Sequence, residues 1–89
     1  MTYEEQIDEI MDWFDFNRVA QTMKALDWRW FDVGVPDEPE LRKKARSLLK
    51  EVAKNGGYLQ TAGFHAQNNE GRLEIMFVVS EWRVEGEEK

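Results

Sequence analysis

The apolar residues of this chain change their period at Gly56-Gly57, and that change constrains the class of fold more than any other feature. Before the pair they recur every three or four positions: Ile7, Ile10, Met11 and Phe14, then Phe16, Val19, Ala20, Met23 and Leu26, then Leu41, Ala45, Leu48, Leu49 and Val52. Such spacing places one apolar stripe along a helix. From Tyr58 onward the residues alternate. Ala62, Phe64 and Ala66 oppose Thr61, Gly63, His65 and Gln67; after a turn, Leu73, Ile75, Phe77 and Val79 share one face. Alternation places one apolar face on a strand. The expected class is α+β, with about three helices on a small antiparallel sheet that ends in a C-terminal β-hairpin.

Local signals divide the helical part. Thr2 followed by Glu5 is a capping-box spacing, and the helix it opens is expected to end at Asp12 or Trp13. Asp15 or Asn17 can cap a second helix, so a break after Phe14 is expected. The aromatic run Trp28–Phe31 suits a short strand. Gly34 and Pro36 end regular structure there, and Asp37 with Glu40 caps a third helix that holds Pro39 in its first turn. Gly56-Gly57 stops that helix. Asn68, Asn69, Glu70 and Gly71 form the hairpin turn, and the charged tail 85–89 is expected to fray. Leu41, Leu48, Leu49, Leu73, Ile75 and Phe77 are the expected core.

A chain of 89 residues is expected to be a single small domain, residues 1–89, with residues 1–14 as an acidic amphipathic helix. One difficulty remains on the sheet: Met76, Val78 and Trp82 share the face opposite Leu73, where a solvated sheet carries polar residues. The first helix, the Trp28–Phe31 run or a second copy of the chain is expected to cover them.

Charge narrows the partners. Asp and Glu number 18 against 12 Lys and Arg, a formal net charge of −6, which disfavours direct binding of nucleic acid. A protein with a basic surface suits the chain better. The chain has no Cys, so thiolate chemistry is excluded and a reducing compartment fits. No apolar run approaches the roughly 20 residues of a membrane span. The start, MTYEEQ, lacks the basic-then-apolar order of a secretory signal, so a cytoplasmic location is expected.

The acids concentrate at Glu4, Glu5, Asp8, Glu9, Asp12 and Asp15. Carboxylates at i and i+4 on a helix stand about 5–6 Å apart, comparable to the spacing of phosphates along a strand. Glu5, Asp8, Glu9 and Asp12 are therefore candidate contacts that imitate phosphates. The plainer reading is a solvated face, with acids favoured near a helix N-terminus. Trp28, Trp30 and Trp82 are candidate contact residues because Trp dominates interface hot spots, although Trp is equally a large core residue. The basic face of the third helix (Arg42, Lys43, Lys44, Arg46, Lys50, Lys54) is expected to be solvated or paired with Asp37, Glu38, Glu40 or the first helix. His65 is the single histidine and reads as a surface strand residue, since a general base needs partners and zinc needs three or four ligands. The glycines form no phosphate loop. No catalytic residue, metal or cofactor is expected.

Phe16-x-x-Val19, Met23-Lys24-x-Leu26-x-Trp28-x-Trp30, Val35-Pro36, Leu41, Ala45, Leu48-Leu49, Gly63-Phe64-x-Ala66 and Leu73-x-Ile75-x-Phe77-Val78 together resemble small phage- and prophage-encoded proteins of unassigned role. The pattern spans residues 16–82 and consists of core and turn positions, so it carries no catalytic assignment. The resemblance implies an accessory protein of a mobile element in a bacterial host. Small acidic proteins of that origin include anti-CRISPR proteins and restriction inhibitors that imitate DNA. The expected function is inhibition of a host nucleic-acid-handling defence complex through the acidic helix face and exposed aromatics. The alternative is a homodimeric phage structural or housekeeping module. An enzyme is the least supported class, because no nucleophile–base pair, metal cluster or cofactor loop stands out.

Overall fold

The computed structural model describes residues 1–25, 37–61 and 63–78. The elements run α1 (Tyr3–Trp13), α2 (Phe16–Ala25), α3 (Glu38–Asn55), β1 (Gly57–Thr61), β2 (Phe64–Asn69) and β3 (Arg72–Phe77). The architecture is α+β, and the three strands form an antiparallel sheet in the order β1-β2-β3. Among the described residues no helix is long and apolar enough to cross a membrane.

The helix ends follow the sequence signals. Thr2 Oγ1 accepts the Glu5 N–H at 3.2 Å, and Glu5 Oε1 accepts the Thr2 N–H at 2.8 Å, which closes the capping box. Phe14 leaves helical geometry at ψ 130°. Asp15, not Asn17, then caps α2, its Oδ1 accepting the Arg18 N–H at 3.1 Å. Asp37 caps α3 through the Glu40 N–H. Gly56 ends α3 at φ 77° and ψ 178°, a region open essentially to glycine.

The helices cover one face of the sheet. Ile7, Ile10 and Met11 of α1, Phe16, Val19 and Met23 of α2, and Leu41, Leu48, Leu49 and Val52 of α3 form one core with Phe64, Ala66, Leu73 and Ile75. Phe77 is half-buried against it. Two polar devices fasten α1. The Gln6 side chain accepts the Leu73 N–H and donates to the Gly71 carbonyl, each at 3.0 Å. Asn68 donates to the Tyr3 hydroxyl at 3.0 Å. A third fastening joins all the helices: Arg42 donates to the Met11 carbonyl at 3.3 Å, pairs with Glu38 at 2.8 Å and lies 5.1 Å from the Phe16 ring centroid.

Two expectations about the strands need correction. The alternating run from Tyr58 to Gln67 is not one strand. It folds back at Gly63 (φ 93°), so β1 and β2 are a hairpin with Thr61 opposite Phe64. Thr61 thus shares a face with Phe64 rather than with His65. Asn68 and Asn69 are strand residues, and the second turn is Glu70-Gly71, with φ 54° and 90°. Positive φ at both central positions matches the mirror-image turn that suits a twisted two-residue hairpin. The expected strand at Trp28–Phe31 and the tail 85–89 lie outside the described residues.

Candidate functional site

Burial of Ile7, Ile10 and Met11 orients α1, and everything else on that helix follows from it. Glu4, Glu5, Asp8, Glu9, Asp12 and Trp13 all face solvent. The helix carries no Lys or Arg of its own. The four sequence candidates therefore do share an exposed helix, but their carboxylates differ in what they already do. Glu5 is held by the capping box. Asp8 pairs with Arg46 of α3 at 2.8 Å, and the same guanidinium stands 4.0 Å from Glu4. The Glu4–Asp8–Asp12 row is thus answered at its near end by a cation from another helix. Glu9 and Asp12 have no hydrogen-bond or ion-pair partner among the described residues. The basic face of α3 is partly paired, as Arg42 with Glu38 and Arg46 with Asp8 show.

Trp28, Trp30 and Trp82, the aromatic candidates, lie outside the described residues. The structure instead brings forward Trp13, which is 60% exposed at the end of α1 beside Asp12 and one turn from Glu9. Its ring is the outer end of an aromatic chain. Trp13 and Phe14 lie 5.9 Å apart by ring centroids, Phe14 and Phe16 4.9 Å, Phe14 and Phe64 5.9 Å, and Phe64 and Phe77 5.6 Å, all tilted. Trp13 walls a hollow of about 410 Å³, together with Phe14, Val19 and Phe77 and the more polar Asp15, Arg18 and Thr22. Sequence periodicity leaves Trp13 off the Ile7, Ile10, Met11 and Phe14 stripe, at the expected end of the helix. The signal for its exposure is that position, since the helix period sends Phe14 inward with Ile7, Ile10 and Met11 and leaves Trp13 beside them on the outside.

On the opposite face of the sheet, Tyr58 and Met76 are exposed at 64% and 52%. Because α1 joins the core on the α3 side, it does not cover Met76. Val78 is half-buried, and its N–H donates to the Gly63 carbonyl at 2.6 Å. The Glu74 Oε1 accepts from both Gln67 and Asn69 at 2.9 Å, which gives this face a polar half. His65 is half-buried rather than open on the surface; its ring is 5.3 Å from Tyr58, and its Nε2 is shielded from solvent and has no hydrogen-bond partner among the described residues. Among the described residues no group of His, Cys, Asp and Glu is arranged to hold a metal ion.

No protein-family model matches the chain, and neither a curated protein nor a solved structure matches it.

Proposed function

We propose that this protein is a small acidic accessory protein of phage type that binds, and thereby inhibits, a host complex that handles nucleic acid. The observation that carries the reading is the outward face of α1: exposed Glu4, Glu5, Asp8, Glu9 and Asp12 with no basic residue on the helix, against Arg46 of α3, which pairs with Asp8, while Arg42 of α3 bonds only to the Met11 backbone carbonyl of α1. A surface of one sign attracts a partner of the other and steers its approach. Basic surfaces that accept a row of phosphates are the natural complement of a row of carboxylates. The resemblance of residues 16–82 to phage and prophage proteins supports a host defence complex, anti-CRISPR action included, as the class of target.

The test replaces Glu5, Asp8, Glu9 and Asp12 together by their amides. Gln retains the capping role of Glu5, so helix length is kept while four charges are removed. Bacterial lysate passed over wild-type protein should yield a partner that salt and added duplex DNA both displace. The amide variant should lose it, mainly through a slower on-rate. Equal capture by both proteins at low salt would end the reading.

A second reading, a homodimeric phage module, is favoured by the exposed Tyr58 and Met76 on the sheet face opposite the described helices. It predicts a dimer by light scattering at micromolar concentration that Met76→Lys dissociates.

A further inference from the structure

We infer that the hollow beside Trp13 is the anchor point of the partner interface, and that it takes one apolar side chain from a Lys- or Arg-rich protein segment. The inference rests on the acidic-face reading and adds a site to it. Three observations converge. An indole left 60% exposed at a helix end leaves a large apolar area in water, and Trp is the residue most enriched where interfaces concentrate their energy. The hollow it walls measures about 410 Å³ and is lined by the apolar Phe14, Val19 and Phe77, so it accepts an aliphatic or aromatic side chain. Its surroundings select for charge. Asp15 and Arg18 line the hollow itself, one acid and one base, and the excess negative charge comes from exposed Glu9 and Asp12 on the turn of α1 that leads to Trp13.

The geometry also explains why the site is firm enough to serve as an anchor. Trp13 is joined through Phe14 to Phe16 and Phe64, which are 1% and 0% exposed. The hollow is therefore bounded by the edge of the core, since Val19 belongs to it and Phe14 and Phe77 pack against it. An inserted side chain meets preordered walls, which reduces the entropy lost on binding. An apolar centre with Asp15, Arg18 and Thr22 about it also follows the usual anatomy of an interface, polar at its rim.

The experiment uses two lysine-rich peptides of equal charge, one with a central leucine and one with serine in its place, titrated into isotope-labelled protein. The leucine peptide should bind about tenfold more tightly, and its shifts should centre on the Trp13 indole N–H and the Val19 and Thr22 amides. Trp13→Ala should make the two peptides equal. So should Thr22→Trp, which fills the hollow from another of its lining positions and leaves Trp13 in place. The amide variant of α1 should weaken both peptides by a similar factor and keep the leucine preference. Equal binding of the two peptides to wild type, or a leucine preference that survives in Trp13→Ala, overturns the anchor and leaves the acidic face standing. Undiminished binding by the amide variant overturns the basic nature of the partner and the acidic-face reading with it.

Discussion

The side-chain carbonyl of Gln6 accepts the backbone N–H of Leu73 at 3.0 Å, so a residue of α1 satisfies a backbone donor at the start of β3. The same amide donates to the Gly71 carbonyl, so one side chain serves both a donor and an acceptor of the hairpin. That contact fixes where α1 lies against the sheet, and hence which way its carboxylates face.

Gln6→Leu keeps the size of the side chain but leaves the Leu73 N–H without its partner in a part-buried place. An unmatched donor of this kind costs about 1–3 kcal/mol. Urea unfolding should show that loss. Gln6→Glu, which retains an acceptor oxygen, should lose less.

Leu49 is fully buried at the centre of the α3 stripe. Leu49→Ala removes transfer free energy and opens a cavity, so it should destabilise the protein by about 2–5 kcal/mol. A loss under about 1 kcal/mol would mean that the α3 face is misassigned.

Glu70 holds φ 54° in the turn between β2 and β3, and its side chain is exposed. A side chain longer than Asn is disfavoured there, whereas Asn-Gly is the preferred pair for such turns. Glu70→Asn should raise stability by several tenths to about 1 kcal/mol, read as a higher urea midpoint at unchanged m-value.

Helix positions were legible in the sequence because capping residues and apolar stripes agree. Thr2 with Glu5, Asp15 and Asp37 mark the three starts, and Ile7, Phe16 and Leu41 mark the stripes. The first hairpin was not legible. All five residues of β1 are exposed on an edge strand, so nothing apolar fixes their phase, and the alternation carries across Gly63 as if the strand continued. Sheet register then decides what the pattern leaves open. The acidic character of α1 was visible, but not the inequality among its carboxylates. Arg46 and Asp8 are 38 positions apart, and their meeting depends on how α1 and α3 cross. The helix period places Trp13 off the stripe, but not the hollow beside it, which depends on Val19 of α2 and Phe77 of β3 meeting there.

Arg46 supplies the sharpest test of whether the acidic face works through charge. The pair with Asp8 is well exposed, at 37% and 63%, so breaking it should cost at most about 1 kcal/mol. Arg46→Gln therefore leaves the fold intact while it frees Asp8, relieves Glu4 and makes the face more negative. If charge attracts the partner, this variant should associate faster than wild type at low salt, and the gain should vanish as salt rises. The effect runs opposite to that of the four-amide variant, and opposite responses to opposite changes in charge exclude a general loss of structure as the cause. An unchanged or slower association rate at low salt would show that Arg46 and the row it neutralises lie outside the contact.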